Sequence, residues 1–163
     1  MEESSGTPGL VPAPLFSGPI DIVGDIHGEH DALVALLAVL GYRADGSHAD
    51  SRRLVFVGDL CDRGPDSPAV FRTVAALVAA GRAQCVIGNH ELNILRGSLK
   101  AGNGWYHRID HDRAAGRFLE SRHATPAERN SIPAFIATLP LALERPDLRV
   151  IHAAWHLPSL ASL

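Results

Sequence analysis

Three short apolar runs are the most regular feature of the first half of the chain. They span residues 20–23, 54–57 and 85–87 and are rich in residues that favour β-strands. The first two runs are followed by apolar residues at the spacing of one helix face. The residues with this spacing are Leu33, Leu36, Leu37 and Leu40, and then Val70, Val74, Leu77 and Val78. Strands that alternate with helices predict a parallel sheet with right-handed crossovers.

Small residues and prolines set the expected ends of these helices. Gly41 and Gly81 suit the positions that end the first two helices. Ser67 and Pro68 suit the N-cap and the first position of the second helix. The third apolar run leads into residues 88–97, whose leucines predict a short helix.

The pattern weakens after the third predicted helix. Residues 97–130 are polar and contain several glycines, so we expect an excursion with short helices. Thr125, Pro126 and Glu128 form the start of a further helix. Because proline cannot donate a helical hydrogen bond, Pro133 is expected to kink or restart that helix.

The last part of the chain, residues 141–155, predicts two strands around a turn at residues 145–147. With the alternating strands and helices before it, this segment predicts an α/β fold. We expect a flexible leader over residues 1–19, which contain scattered Pro and Gly and lack the positive end and apolar core of a signal peptide. One domain is expected over residues 20–163.

Composition and charge narrow the function without identifying it. The 163 residues are 46% hydrophobic and 20% charged, which is an ordinary globular composition. The formal net charge of -3, without a block of Lys or Arg, argues against sequence-independent nucleic-acid binding. No apolar stretch is long enough to span a bilayer, so we expect no membrane partner and a cytoplasmic location. Cys61 and Cys85 are expected to be buried, reduced thiols.

Residues capable of chemistry follow the predicted strands. Ligands gather at the carboxyl ends of parallel strands in an open α/β sheet, because the loops converge there. The i, i+2 spacing of Asp25 and His27 lets an extended segment point both side chains the same way. The polar residues at the four strand ends are Asp25 and His27, then Asp59, Asp62 and Arg63, then Asn89 and His90, and finally His152.

The chemistry of these side chains favours a pair of divalent metal ions. Carboxylate, imidazole and amide ligands together suit Mn, Fe or Zn. Mg and Ca instead prefer sites in which every ligand is oxygen. The candidate ligands are too many for one ion that keeps an open position, but they suffice for two ions bridged by one carboxylate. Asp59, after the middle strand, is the expected bridge. Two divalent cations held by two carboxylates leave a positive site that attracts phosphate.

Three short motifs resemble the signatures of calcineurin-like metallophosphoesterases. GDIHG (residues 24–28), GDLCDRG (58–64) and GNHE (88–91) occur in this order, each after a predicted strand. The resemblance covers about residues 20–155 and is nearest to the branch of Ser/Thr protein phosphatases and their bacterial relatives. It implies the α/β sandwich of that family, with the N-terminal βαβαβ part present. It also implies that a hydroxide activated by two metal ions attacks phosphorus in line.

The resemblance further implies roles for individual residues. The implied metal ligands are Asp25 and His27 for the first ion, Asn89 and His152 for the second, and Asp59 for both. Arg63 would hold phosphate oxygens in a bidentate contact. His90, oriented by Asp62, would protonate the leaving oxygen as a general acid.

The chain also departs from the family pattern. Members of the family continue past the segment of His152 to a further histidine in a Gly-His motif, whereas this sequence ends at Leu163. His156 stands where we expect an acidic residue in close bacterial relatives. We therefore expect a truncated chain that lacks the C-terminal part of the fold and one ligand of the second metal site.

The expected function is that of a metal-dependent phosphatase, acting on a phosphomonoester or a phosphoanhydride. Its substrate would be a phosphoprotein or a nucleotide such as a dinucleoside polyphosphate, and the complete GDLCDRG and GNHE motifs favour the protein-phosphatase branch. The alternative is a truncated, catalytically impaired remnant that binds metal or phosphate. A dinucleotide-binding oxidoreductase is excluded, because no G-x-G-x-x-G follows a predicted strand.

Other polar and aromatic residues have less specific expected roles. His30 lies in the first turn of the first helix and is expected to face solvent. Arg96 is expected to cap its helix rather than to meet phosphate. For Trp105, Tyr106 and His107 two alternatives stay open, because they either line the substrate cleft or anchor the excursion to the core.

Overall fold

The computed structural model describes residues 12–109 and 121–156 of the chain. These two ranges contain six strands and five helices. The strands are β1 (Ala13–Pro14), β2 (Ile20–Val23), β3 (Arg53–Phe56), β4 (Ala83–Cys85), β5 (Ala142–Arg145) and β6 (Leu148–Ile151). The helices are α1 (His30–Val39), α2 (Ser67–Ala79), α3 (Asn89–Leu95), α4 (Gly104–His107) and α5 (Pro126–Ile136).

Two three-stranded sheets form the framework. Strands β2, β3 and β4 pair in parallel in that order, which confirms the βαβαβ unit predicted from the sequence. Strand β1 pairs in parallel with β5, and β5 pairs antiparallel with β6 around a turn at Pro146 and Asp147. The two strands predicted near the end of the chain are therefore present, and they belong to a separate sheet.

Strand β3 is buried on both of its faces. Leu54 and Phe56 pack in the larger core cluster with apolar residues of α1 and α2. Val55, between them, packs with Leu143 and Val150 of the second sheet. Because successive strand residues point to opposite faces, the parallel sheet has helices on one side and the second sheet on the other. This arrangement confirms the α/β class and places the loops after β2, β3 and β4 at one end of the sandwich.

Helix α1 buries a narrower apolar stripe than its sequence predicts. Leu33 and Leu37 are buried, and Leu40 packs partly buried against the same core cluster. Leu36 is 40% exposed, so it does not share the buried face. His30 is also not simply solvent-facing, because its Nε2 lies 3.0 Å from the hydroxyl of Thr73 on α2.

Helix α2 begins one residue earlier than its sequence predicts. Asp66 is the N-cap, and its Oδ1 accepts a hydrogen bond from the N–H of Ala69 at 2.9 Å. Ser67 is the first helical residue, and its hydroxyl accepts a hydrogen bond from the N–H of Asp62 at 2.9 Å. The serine expected to cap the helix therefore braces the loop before it.

Helix α5 runs through Pro133 as one continuous element, so the restart expected there is wrong. The predicted capping box of Thr125 and Glu128 is present, with reciprocal contacts of 3.3 Å and 2.9 Å. Pro133 has no N–H to donate to the carbonyl of Arg129, four residues earlier. The hydroxyl of Tyr106 donates to that carbonyl instead, at 3.3 Å. A contact from the excursion thus compensates for the proline.

Part of the expected leader contributes to the fold. Within the segment expected to be a leader, Ala13–Pro14 forms β1 and Leu15 is buried in the cluster between the sheets. The rest of that expectation, for residues 1–11, lies outside the described residues, as do residues 110–120 of the excursion. Across the part of the chain that is described, no helix combines the length and apolar character needed to cross a membrane.

We expect Tyr106→Phe to lower the free energy of unfolding by about 1 kcal/mol, because the Arg129 carbonyl loses its donor. In a Pro133→Ala background this cost should fall towards zero, since the N–H of alanine completes the helical hydrogen bond to the same carbonyl. Urea unfolding of the parent chain, the two single variants and the double variant measures the coupling free energy between Tyr106 and Pro133. The assigned role of the hydroxyl is contradicted if Tyr106→Phe costs the same in both backgrounds.

Candidate metal centre

The loops that follow β2, β3, β4 and β6 converge on Asp59, which is 4% exposed. Asp59 Oδ2 lies 3.8 Å from Nε2 of both His27 and His90. Asp59 Oδ1 lies 3.4 Å from Nε2 of His152. Asp25 approaches from the solvent side, with its Oδ2 3.7 Å from His27 Nε2. The two oxygens of one buried carboxylate therefore face different imidazoles, as a bridging ligand requires.

Backbone carbonyls orient two of these imidazoles. His27 Nδ1 lies 2.9 Å from the carbonyl oxygen of Cys61. His152 Nδ1 lies 2.8 Å from the carbonyl oxygen of Val57. A neutral imidazole that donates Nδ1–H to a carbonyl keeps its lone pair on Nε2. In both histidines Nε2 therefore carries the lone pair and lies within 4 Å of an Asp59 oxygen, so it is available to bind a cation beside that carboxylate.

The contact between Asn89 and His152 also fits a cation. Asn89 Oδ1 and His152 Nε2 lie 3.0 Å apart. With Nδ1–H donated to a carbonyl, both facing atoms are acceptors and do not hydrogen-bond to each other. A metal ion with ligand bonds of about 2.1 Å holds adjacent ligand atoms roughly 3 Å apart. The separation of this pair is therefore that of two ligands on one ion.

The donor atoms form two groups of three that share Asp59. The ligand atoms of Asp25, Asp59 and His152 lie within 4.8 Å of one another, as do those of His27, Asp59 and His90. Nitrogen and carboxylate donors at these separations fit two divalent ions. The structure thus brings together all five residues that the sequence marks as ligands, and it adds His90 to their neighbourhood.

His90 forms a buried pair with Asp62, which has no exposed surface. His90 Nδ1 lies 2.6 Å from Asp62 Oδ2, so Nε2 faces Asp59 and the open side of the site. The hydrogen bond with Asp62 raises the pKa of His90 above its ordinary value, against the opposing effect of burial. The indole N–H of Trp105 donates to the other oxygen of Asp62 at 2.7 Å.

Arg63 extends its guanidinium over the site from an exposed position. Its Nη1 lies 3.0 Å from His27 Nε2, and its Nη2 lies 3.3 Å from His90 Nε2. A guanidinium only donates hydrogen bonds, so it uses the lone pairs of these two nitrogens. The contact with His27 and a metal bound at His27 Nε2 are therefore alternatives, because both need the same lone pair.

Several of these residues adopt the left-handed backbone conformation. The φ angles are +47° at His27, +49° at Asp59, +72° at Asp62 and +70° at Arg63. Each such residue other than glycine costs of the order of 1 kcal/mol, and it persists only where its surroundings enforce it. The conformation of this site is therefore held by its neighbours and is not an intrinsic preference of the loop.

Glu91 holds this loop conformation from the neighbouring loop, although it was not among the site residues expected from the sequence. Its carboxylate accepts hydrogen bonds from the N–H groups of Asp59 at 2.8 Å, Leu60 at 2.9 Å and Gly88 at 2.9 Å. It has no exposed surface, and burial raises the pKa of its carboxyl above the ordinary value while the backbone hydrogen bonds oppose that rise. Its carboxylate joins the loops after β3 and β4.

The same two loops approach each other too closely for side chains. A Cβ atom at Gly58, where φ is +90°, would meet the backbone of Gly88. A Cβ atom at Gly88 would meet the carboxylate and backbone N–H of Asp59. Glycine is required at both positions because the loops must come this near for Glu91 to reach across.

The structure settles the open alternatives for the aromatic residues in part. Trp105 is 2% exposed and reaches the core, so it anchors the excursion. Tyr106 binds the backbone of α5, as described above.

The role of Glu91 had one signal in the sequence, because a glutamate three residues after the helix N-cap can accept the N-cap N–H. No periodicity or motif pointed to the contact between Trp105 and Asp62.

The arrangement around Asp59 is that of a phosphoesterase with a two-metal centre, and the chain belongs to the calcineurin-like phosphoesterase family, whose model matches residues 18–159. Members of this family use a dinuclear divalent metal centre, which the donor set described above fits. The resemblance seen in the three motifs is thereby confirmed.

Individual relatives with similar sequences are nucleotide hydrolases by name. The asymmetrical bis(5'-nucleosyl)-tetraphosphatase PrpE of Bacillus velezensis is 49% identical over 73 residues, which cover 43% of this chain and 29% of that protein. The symmetrical bis(5'-nucleosyl)-tetraphosphatase of Ralstonia nicotianae is 40% identical over 81 residues, which cover 50% of this chain and 26% of that protein. The chain thus matches less than a third of the length of these curated relatives.

Solved structures with the same fold are also phosphatases by name. A crystal structure assigned to a candidate diadenosine tetraphosphatase has a TM-score of 0.56 and 28% identity, and the match covers 90% of this chain and 55% of that chain. The cold-active protein-tyrosine phosphatase of a psychrophilic Shewanella species has a TM-score of 0.62 and 19% identity, over 92% of this chain and 47% of that chain. Both similarities support the α/β sandwich described above.

Replacement of the buried carboxylate tests its structural role. We expect Glu91→Gln to lower the free energy of unfolding by about 1–3 kcal/mol, because an amide NH₂ would face backbone N–H groups that need acceptors. Glu144→Gln is the matched control, since Glu144 pairs with Arg149 at the surface, where such pairs contribute little. Urea midpoints of the two variants and the parent chain provide the comparison. Equal midpoints for both variants would show that the loops do not depend on Glu91.

Proposed function

We propose that this chain is the metal-binding part of a phosphoester hydrolase that cleaves a phosphoanhydride of a nucleotide, such as a dinucleoside polyphosphate. The observation that carries this proposal is the position of Asp59, whose two carboxylate oxygens face separate imidazoles. That arrangement suits two divalent cations. We assign residues 20–163 to this one domain and add Ala13–Pro14 to it, because β1 pairs with β5 of the second sheet.

The residues proposed to hold the metals are those that converge on Asp59. The proposed ligands are Asp25 and His27 for one ion, Asn89 and His152 for the other, and Asp59 for both. This pairing follows the family resemblance, since the donor groups around Asp59 place Asp25 with His152 and His27 with His90. Mixed nitrogen and oxygen donors favour Mn, Fe or Zn. Two such ions, when bound, supply Lewis acidity that polarises the phosphoryl group and makes a water molecule nucleophilic.

Residues of the β3 loop and α3 are proposed to act on the substrate. Arg63 is exposed and positioned beside both imidazoles, so its guanidinium can leave them and hold two phosphate oxygens. His90 presents Nε2 to the open side of the site while Asp62 holds the other ring nitrogen. This orientation suits the donation of a proton from Nε2 to the leaving oxygen.

The choice of substrate rests on the relatives. Both curated relatives described above carry names of bis(5'-nucleosyl)-tetraphosphatases, which supports a nucleotide substrate. A phosphoprotein is the second candidate, because the complete GDLCDRG and GNHE motifs resemble those of protein phosphatases. The two substrates make different demands on the leaving group, since a serine side chain needs a proton to leave, whereas the nucleotide phosphate released from a phosphoanhydride is a much weaker base.

We expect the purified chain to hydrolyse diadenosine tetraphosphate, p-nitrophenyl phosphate and, with lower kcat/KM, a phosphoserine peptide with added Mn²⁺, and to lose this activity with a chelator. Asp59→Asn should lower turnover by at least 100-fold on every substrate, because it removes the charge shared by both ions. His90→Asn should cost roughly 10²- to 10⁴-fold on phosphoserine and much less on p-nitrophenyl phosphate, which needs no general acid.

The surface variant Glu144→Gln, at a half-buried position of β5, serves as the activity control and should match the parent chain. A chain that binds two Mn²⁺ ions, measured by calorimetry, and turns over no phosphoester would refute hydrolysis and support the alternative of a catalytically impaired remnant. Preference for a phosphoserine peptide over diadenosine tetraphosphate in kcat/KM would refute the nucleotide assignment.

A further inference from the structure

The described parts of the excursion are fastened to the loop that follows β3. The N–H of Arg63 donates to the carbonyl of Gly102 at 3.2 Å. The N–H of Arg122 donates to the carbonyl of Pro65 at 2.8 Å. These backbone contacts hold the excursion against the loop at two points. Trp105 lies between these two points along the chain.

The carboxylate of Asp62 has a different partner on each oxygen. Oδ2 contacts His90 Nδ1 at 2.6 Å, and Oδ1 accepts the indole N–H of Trp105 at 2.7 Å. A carboxylate held at one oxygen can rotate about its Cβ–Cγ bond, whereas one held at both oxygens cannot. Since Asp62 has no exposed surface, water does not replace a lost partner without entering the core.

The indole itself is rigidly placed. Trp105 is 2% exposed, and its ring packs 6.2 Å from the ring of Phe71 and 5.5 Å from that of Tyr106, measured between centroids. Its carbonyl accepts the N–H of Ala124 at 2.9 Å. Trp105 therefore offers Asp62 a donor that is fixed in direction, buried and unable to take or release a proton.

We propose that Trp105 is a positioning residue that locks the Asp62 carboxylate and thereby fixes the tautomer and ring orientation of His90. The lock keeps the proton of Nδ1 on the side of Asp62 and directs Nε2 to the open side of the site. The orientation of the ring is a property of the folded chain alone. Only its effect on turnover rests on the proposed function.

The test combines a spectroscopic measurement with kinetics. In ¹⁵N-histidine-labelled chain at fixed pH, His90 Nδ1–H should give a far-downfield imidazole resonance that disappears in His90→Asn. Trp105→Phe keeps an aromatic ring and removes the indole donor. It should shift or broaden this resonance beyond detection. An unchanged resonance in a folded Trp105→Phe chain overturns the proposal.

The matched control is Tyr106→Phe, which removes a donor from the next residue of the same short helix. Its hydroxyl contacts the Arg129 carbonyl and not Asp62, so the His90 resonance should stay unchanged. A comparable shift in Tyr106→Phe would mean that general loosening of the excursion is responsible, and it would also overturn the proposal.

The kinetic readout separates positioning from substrate binding. Trp105→Phe should lower kcat on phosphoserine by roughly 10- to 100-fold, as removal of an orienting partner commonly does, with KM within twofold of the parent value. In a His90→Asn background the same change should have no further effect, because there is no ring to orient. Additive losses would contradict the lock. If the parent chain itself shows no turnover, the proposed function fails and the resonances still decide the orientation.

A measurement on the parent chain covers the case in which Trp105→Phe does not fold. The indole N–H of Trp105 should exchange slowly with solvent, and its resonance should move in His90→Asn because the two share Asp62. Trp155, whose ring lies 4.7 Å from the Arg149 guanidinium, is the internal reference and should not move. Rapid exchange of the Trp105 indole, or no response to His90→Asn, overturns the proposal.

Discussion

Three backbone N–H groups that converge on the carboxylate of Glu91 hold the centre of this molecule together. Two of them belong to Asp59 and Leu60, in the loop after β3, and the third belongs to Gly88, after β4. The carboxylate is buried and stands where two loops pass too closely for any side chain at Gly58 or Gly88. Without this acceptor, three buried donors would lack partners and the left-handed conformation of Asp59 would lose its support.

The loop fixed in this way supplies most of the site. Residues 57–63 provide the central carboxylate, the acidic partner of His90 and the exposed guanidinium. They also provide the two carbonyls, of Val57 and Cys61, that orient the imidazoles of His152 and His27. Imidazoles from two other loops are thus oriented by the backbone of this one, and a third, His90, by its Asp62 side chain. Such a site depends on the conformation of that loop more than on any single ligand.

The sequence was informative where local chemistry decides the structure. Apolar runs that alternate with helical stripes predicted the βαβαβ unit, and the polar residues after the predicted strands indicated which side chains converge. Local patterns were insufficient wherever a distant contact decides the outcome. A continuous apolar run shows that β3 is buried on both faces, but not that a second sheet covers Val55. Likewise, the continuity of α5 through Pro133 depends on Tyr106, and the geometry of Asp62 depends on Trp105.

The left-handed conformations at His27, Asp59, Asp62 and Arg63 have an evolutionary consequence. Glycine at any of these positions would relieve an unfavourable conformation while deleting a functional group. At Arg63, whose exposed guanidinium satisfies no buried backbone group, selection for thermal robustness alone would therefore favour glycine, whereas glycine at Asp62 would leave the Trp105 indole and His90 without their acceptor. The Arg63 side chain persists only under selection for what it does, so a homologue in which this residue has become glycine would record the loss of that selection.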